Sequence, residues 1–217
     1  VKPDILASYG PLFLQGALVT LGIVFSAIVC ATVLGTIIAV MRTSHNRVLS
    51  SVAAVYVWFF RGIPSLLALF FFYYATPSLG LTLTAFQAGL CAMTITSAAF
   101  ISEIVRSGLQ SVDPAQLEAA EAVGMSPLRR ALRVTVPAVV RTITPPYISN
   151  AVIIMKESAQ VSVITVPDLM FQAQKAYNAT YSPLETLGVA AVLYLAMTSI
   201  LMLVQQAVER RMRVRTR

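Results

Sequence analysis

Residues Leu12–Met41 read LFLQGALVTLGIVFSAIVCATVLGTIIAVM, with no Asp, Glu, Lys or Arg anywhere in the run. Uncharged apolar stretches beyond about 18 residues are long enough to cross the hydrocarbon core of a bilayer as one helix. Gly16, Gly22, Ala27, Ala31 and Gly35 lie along the run, and small residues let neighbouring helices approach closely in lipid. No basic leader precedes the segment, and it is longer than the apolar core of a cleaved signal peptide, so it is expected to remain as an anchor. Because the first residue is Val1 rather than Met, a few preceding residues are expected.

The rest of the chain agrees with that start. Of 217 residues, 57% are hydrophobic and only 12% charged, with a mean hydropathy of +0.77. That is more apolar surface than one soluble core of this length can hide. The net charge of +7 does not point to nucleic acid, because the basic residues flank apolar segments and do not interleave with aromatics. Cys30 and Cys91 both sit inside apolar stretches, so neither a metal site nor a disulfide framework is indicated.

Further spans are expected at about Leu49–Tyr74, broken by Arg61 and Pro64, then Leu83–Val105, Ile143–Val166 and Thr186–Val208. Thr76–Gly80 reads as a turn. The expectation is an all-α, polytopic membrane protein of about five transmembrane helices forming one domain over residues 1–217. Lys and Arg beside the spans set the orientation. Arg42 and Arg47, then Arg106, Arg129, Arg130, Arg133 and Arg141, then Arg210, Arg211, Arg213, Arg215 and Arg217 all fall on one side of a five-span chain. The other side holds Lys2, the turn near Pro77, and the segment around Asp168, Lys175 and Glu185. The C-terminus is therefore expected in the cytoplasm and the N-terminus outside, with the final Arg cluster anchored at anionic lipid. His45, in the first cytoplasmic loop, is expected to be solvated.

The loop at about 111–137 carries its own helix signals. Asp113 is a good N-cap, Pro114 suits the first helical position, and Gln116 is placed to complete a capping box. Ala-rich sequence favours helix until Gly124, which suits the left-handed residue after a helix end. Ser126-Pro127 starts a second short helix through Arg133, and Pro137 closes the loop. Short isolated helices are marginal in water, so this pair is expected to pack on a soluble partner. An interfacial helix on lipid is the competing reading; it suits Arg129, Arg130 and Arg133 but not Glu118 and Glu121.

Glu118-Ala119-Ala120, three residues, Gly124, nine residues and Val134-Thr135-Val136-Pro137 together resemble the EAA loop of ABC importer permeases. Tyr56-Val57-Trp58-Phe59-Phe60-Arg61-Gly62-Ile63-Pro64 is similar to the R-G-T-P element of the polar amino-acid uptake permeases, the histidine, glutamine, arginine, cystine and opine type. Ala98-Ala99-Phe100-Ile101-Ser102-Glu103-Ile104-Val105-Arg106 is similar to their A-Y-x-x-E-x-x-R element. The resemblance implies a type I ABC importer permease fold in a bacterial cytoplasmic membrane. It also implies a second permease chain, identical or paralogous, and an external solute-binding protein as partners. Cytoplasmic ATPase subunits, which carry ATP and Mg, would dock on Glu118, Ala119, Ala120, Gly124 and Pro137. No G-x-x-x-x-G-K-[ST] occurs in this chain, so hydrolysis is assigned to the partner and the permease is non-catalytic. Val134 and Val136 replace the family's Ile and Leu. Lys156-Glu157-Ser158-Ala159-Gln160 stands where the family shows K-D-T-S-L, a departure that bears on substrate identity.

Ionisable residues inside spans cost about 2.5–3.5 kcal/mol at a helix centre on insertion scales, so each needs an account. Arg61 lies about twelve residues into its span, roughly 18 Å of helix rise from the near end. It is expected either to pair with Glu103 or a carbonyl, or to bind a substrate carboxylate with its planar fork. Glu103 and Arg106, three apart on one helix face, are expected to form an ion pair or gate. The resemblance places ligand between the second, third and fourth spans, which brings in Thr96, Ser97, Glu157 and Gln160. Two rivals remain at this point: an ion-coupled secondary transporter using Arg61, Glu103 and Glu157 as a relay, and a membrane scaffold that recruits a soluble protein.

Overall fold

The computed structural model describes residues 3–214, which form helices joined by short connections, with no strand among the described residues. Lys2, Arg215 and Arg217 lie outside the described residues. The charge-free run forms α1, Pro3–Arg42. Asn46 then caps α2, Arg47–Gly62, by accepting from the backbone N–H of Val48 at 2.9 Å. Pro64 ends α2: it has no N–H and pushes Ile63 into extended backbone (φ −94°, ψ 148°). The helix restarts as α3, Ser65–Phe70, bent by 103° from α2, and runs through a wide turn at Phe71–Ala75 and a tight one at Thr76–Leu79 before Gly80 stops it with φ +79°. The expected second span is thus a broken one, and the break falls at Pro64; Arg61 sits undisturbed in the last turn of α2.

A capping box opens α4, Ala85–Gln110: Gln87 N–H donates to Thr84 Oγ1 at 3.2 Å and Thr84 N–H to Gln87 Oε1 at 3.0 Å. After the loop come α5 (Pro114–Ala122), α6 (Pro127–Arg130), a wide turn at Ala131–Thr135 and α7 (Val136–Glu157), which tightens into a 3₁₀ segment at Ser158–Ile164. Then follow α8, Leu169–Thr180, and α9, Pro183–Val214. The sequence reading had no counterpart for α8, because a short helix with Gln172, Gln174, Lys175 and Asn178 carries no span signal.

Three helices, α1, α4 and α9, are each long and apolar enough to cross a bilayer, and the bent α2–α3 pair makes a fourth such unit. The fourth expected span, Ile143–Val166, is the one that remains: it falls on α7 and the 3₁₀ segment after it, and α7 is 22 residues, about 33 Å of helix. It carries Arg141, Asn150, Lys156 and Glu157, so it is far less apolar, and it lies against α4, α9 and α1. Of the apolar windows, 61% of the one in α4 is buried against 11% in α9, which makes α4 the axis of the bundle and α9 its flank.

Two buried clusters flank α4 along its length. Ile23, Val24 and Ala27 of α1 meet Ala88, Ala92 and Met93 of α4, and Ile154 and Met155 of α7; nearer the loop, Ala31, Ile38 and Ala39 meet Ala98, Ile101 and Val105 with Ala53 and Val57 of α2. A methyl added at Gly35 falls 2.9 Å from the Ala98 carbonyl oxygen, so α1 and α4 cross nearly backbone to backbone. Leu18, Phe25, Val192 and Leu195 are each about two-thirds exposed on the outer faces of α1 and α9. Stripes of that kind aggregate in water and are at rest in lipid.

Candidate functional site: an exposed loop and a cavity carried by the same two helices

The loop folds as a small helical hairpin. Asp113 caps α5 by accepting from Ala115 N–H at 2.9 Å. The expected capping box does not form: Gln116 bonds through its own N–H to the Asp113 carbonyl instead. At the far end Gly124 takes φ +77°; its N–H donates to Glu121 O at 2.9 Å and Met125 N–H to Ala120 O at 3.1 Å, a complete Schellman motif. Arg130 donates to Glu121 across the hairpin at 2.6 Å and pins α6 to α5. Pro137 does not close the loop as expected. The chain stays helical from Pro127 to Glu157, and the wide turn at Ala131–Thr135 sits one turn before Pro137, where the missing N–H and the ring would break a regular ladder. Ser126 makes no side-chain cap bond.

Glu118 and Ala119 are exposed on α5, with Ala120 buried beneath them. Val123 (74% exposed), Leu128 (70%) and Leu132 (60%) follow on the same hairpin, so it presents apolar side chains together with a carboxylate that has no ion-pair partner among the described residues. The base of the loop is rigid. Ser111 Oγ donates to Gly108 O at 2.8 Å and lies 3.2 Å from Thr142 Oγ1, and a methyl on Gly108 would lie 2.3 Å from Ile143 Cγ2, so α4 and α7 touch here with no room between them.

The same two helices line a cavity of about 310 Å³ further along. Thr96 and Ser97 of α4 face Asn150, Ile154 and Glu157 of α7, while Phe60, Pro64 and Ser65 from the α2–α3 break form a third wall. Gln160 borders the inner recess of this space and its Oε1 accepts from Ser65 Oγ at 3.1 Å. Thr96, Ser97, Glu157 and Gln160 are thus brought together as expected, and the Pro64 break delivers the wall from the second span. Asn150 was missed. It is 8% exposed, and its amide Nδ2 is a buried donor with no partner among the described residues. Buried donors are normally paired, so an amide inside an apolar run was the readable signal for it.

Arg61 is exposed and does not line the cavity. Its guanidinium lies 5.4 Å from the ring centroid of Phe100, which does line it. The Arg61–Glu103 pair does not form; Glu103 is taken by two other cations. Arg106 donates through Nη2 to Glu103 Oε2 at 2.7 Å and Arg42 Nη1 lies 3.4 Å from Oε1. Arg106 Nη1 also donates to Gln110 at 2.9 Å. The carboxylate therefore joins the end of α1 to α4 at the loop end of the bundle. Glu103→Gln leaves two partly exposed cations with a neutral partner, and is expected to lower stability by about 1–2 kcal/mol, intermediate between exposed and buried pairs. The measurement is the thermal midpoint of the purified protein in detergent; an unchanged midpoint would show the cluster to be energetically idle.

A bent four-to-five-span bundle with a helical loop and an internal cavity on one shared pair of helices is the architecture of a transport permease. Residues 31–214 match the family described as binding-protein-dependent transport system inner membrane component, and the chain belongs to that family as a multi-pass inner-membrane permease subunit. It is 34% identical over 204 residues to the arginine transport system permease protein ArtQ of Bacillus subtilis, covering 94% of this chain and 93% of that one. It is also 34% identical to the nopaline transport system permease protein NocM of Agrobacterium fabrum, over 87% and 82% of the two chains. Among solved structures, an amino acid ABC transporter crystallised with histidines superposes with a TM-score of 0.89 at 34% identity, over 97% of this chain and 99% of that one. The MetNI methionine ABC transporter in an inward-facing form shares the fold at a TM-score of 0.79 and 19% identity, over 98% and 99%.

Proposed function

We propose that this chain forms the translocation pathway of an ATP-driven importer for polar amino acids or related opine-like compounds, with Glu118, Ala119, Ala120 and Gly124 as the contact for a separate ATPase subunit. One observation carries the reading: α4 and α7 hold the exposed hairpin at one end and the polar cavity further along, at the middle of α4 and the far end of α7. From Gly108 to Ser97 is about 17 Å of helix rise, and the Gly108–Ile143 contact leaves no slack between the helices. A displacement of the hairpin is then delivered to the cavity walls as a rigid-body movement, because close-packed interfaces shift between discrete arrangements and do not deform continuously.

The cavity chemistry suits a small zwitterion. Glu157 offers a carboxylate to an ammonium or guanidinium group, Asn150 Nδ2 offers a free donor to a carboxylate, and Thr96 and Ser97 supply hydroxyls. Arg61, close by over Phe100, gives the approach a positive bias toward carboxylates. An external binding protein delivers the solute, a second permease chain completes the pathway, and the Arg-flanked hairpin faces the cytoplasm by the positive-inside rule. The alternative of ion-coupled transport requires uptake that collapses with the proton gradient and persists without ATPase partners.

The test is a reconstituted complex of permease, ATPase and binding protein, assayed with L-arginine, L-glutamine and nopaline. The expected result is ATP hydrolysis stimulated by the loaded binding protein. Glu157→Gln is expected to raise KM for a cationic substrate about tenfold or more, the loss of one charge-assisted contact of about 1.5–3 kcal/mol. Uptake that ignores ATP, or a KM that ignores Glu157, would remove this reading.

A further inference from the structure

A second polar centre forms around Asp168, from residues that do not line the cavity. Asp168 is wholly buried. One carboxylate oxygen accepts from Phe171 N–H at 2.8 Å, capping α8, and the other from the Tyr194 hydroxyl of α9 at 3.3 Å. The next residue, Leu169, donates its N–H to Thr20 Oγ1 of α1 at 3.1 Å. Against α1 the fit is as close as atoms allow: a methyl on Gly16 would stand 2.8 Å from the Asp168 carbonyl oxygen. Asp168 and Leu169 together thus tie one point of the chain to three helices, the Asp168 carboxylate to α8 and α9 and the Leu169 N–H to α1, and they do so at depth, where a carboxylate without partners is costly.

That fixed point sits directly downstream of the cavity wall. Gln160 lies in the 3₁₀ segment Ser158–Ile164, and Glu157 is the residue that opens it. The segment ends at Thr165, whose φ of 67° and ψ of 19° are left-handed. For a β-branched residue this is a genuine outlier. The Thr165 side chain is exposed. The backbone holds it: Thr165 N–H donates to Ser162 O at 3.1 Å, Val166 N–H to Val161 O at 3.3 Å, and Asp168 N–H to Val166 O at 2.7 Å. The sequence puts Thr where the turn asks for Gly, so the turn's shape is imposed on it by the bonds back to Val161 and Ser162 and by the buried Val166 and Asp168 that follow.

We propose that Asp168 is a positioning residue for the cavity, a buried tie that holds the strained turn at Thr165 and thereby sets where Gln160 and Glu157 stand. Its effect on transport rests on the reading of that cavity as the substrate site; its effect on geometry does not. Without the tie, the turn relaxes toward right-handed backbone and Gln160 leaves Ser65. With glycine at 165 the left-handed turn carries no penalty and the wall keeps its place with a weaker anchor.

The experiment is therefore a cross-link, read in the assembled transporter in membranes without substrate. Ser65→Cys and Gln160→Cys are introduced in a Cys30→Ser/Cys91→Ser background and joined by a short bifunctional thiol reagent. Asp168→Ala is expected to lower the cross-linking rate about tenfold, the population equivalent of the left-handed penalty. Tyr194→Phe, which removes one donor and keeps the carboxylate, is expected to lower it about threefold. Adding Thr165→Gly to either variant restores most of the rate. A merely structural role for Asp168 in packing α8 predicts a loss that Thr165→Gly does not repair, and that result overturns the proposal, as does an unchanged rate in both variants. In the transport assay the same pair of variants moves KM more than Vmax. Should Glu157→Gln leave KM untouched, the cavity reading fails while the cross-link still decides this one.

Discussion

Gly124→Val is expected to cut ATP-driven uptake about thirtyfold while the protein still inserts and still exposes its cavity. Gly124 stands at φ +77° with open space around it, so an added side chain meets nothing within 4 Å. The cost is wholly conformational. A left-handed L-residue costs about 1–2 kcal/mol, and a β-branched one sits at the upper end; about 2 kcal/mol corresponds to roughly thirtyfold in the population of the formed turn. When the turn opens, Met125 N–H and Gly124 N–H leave the last carbonyls of α5 and the Arg130–Glu121 clamp loses its geometry. The surface that Glu118, Val123 and Leu128 present together is then no longer one surface. The informative series is Val, Ala and Asn: Asn tolerates left-handed backbone, so damage falls from Val to Ala to Asn if the turn is what matters. If Asn harms uptake as much as Val, Gly124 is a point of contact with the partner and not a hinge of shape. Uptake and stimulated ATP hydrolysis in proteoliposomes separate these outcomes, with protease accessibility of the loop as the check on insertion.

That prediction was legible in the sequence, and it is instructive which neighbouring ones were not. Helix-end signals are local: Asp113, Gly124 and the proline at 64 act on backbone within a few residues, and each acts where expected. The capping box at Gln116 failed because Asp113 spends its side chain on Ala115, closing a tight turn that leaves Gln116 nothing to reciprocate. Thr84 and Gln87, with the same spacing, do form a capping box. Pro137 misled because a proline can be absorbed by widening the preceding turn when both flanking helices are held by packing. Long-range pairing was the least legible. Thr96, Ser97, Glu157 and Gln160 were placed in one cavity by resemblance, and the structure brings them together through the Pro64 break and the α4–α7 crossing. Arg61 looked like the partner of Glu103 because both are ionisable in the second and third spans. Arg42, at the end of a different helix, reaches that carboxylate because α1 and α4 cross at Gly35. Asp168 gave only the sign of its charge, and nothing in its neighbourhood announced that three helices would converge on it.

Gly108→Leu is expected to be the most destructive single change in the bundle. The position lies in the last turn of α4, two residues before its end at Gln110 and five before the Asp113 cap of α5, so helix propensity alone would favour most residues over glycine there by up to about 1 kcal/mol. Space decides the other way. Even a methyl falls 2.3 Å from Ile143 Cγ2 and 3.1 Å from Val139 Cγ1, and because a β-branched side chain in a helix strongly prefers one χ1 rotamer, relieving the contact costs either a disfavoured rotamer or a shift of α7. Gly108→Ala is accordingly expected to lose about 1–3 kcal/mol, the usual cost of overpacking, and Gly108→Leu to separate α4 from α7 outright. Because those helices join the hairpin to the cavity, separation disconnects the two even in protein that remains folded. Uptake is then lost more completely than the thermal midpoint falls. Gly188→Ala is the matched control: nothing lies within 4 Å of its added methyl, so it keeps uptake and gains about 1 kcal/mol of helix stability. Thermal unfolding of the detergent-purified protein, beside uptake by the same variants in proteoliposomes, reads both effects. A Gly108→Leu protein that melts and transports as the parent does would mean that α4 and α7 part company during the cycle and that the hairpin moves the cavity by some other route.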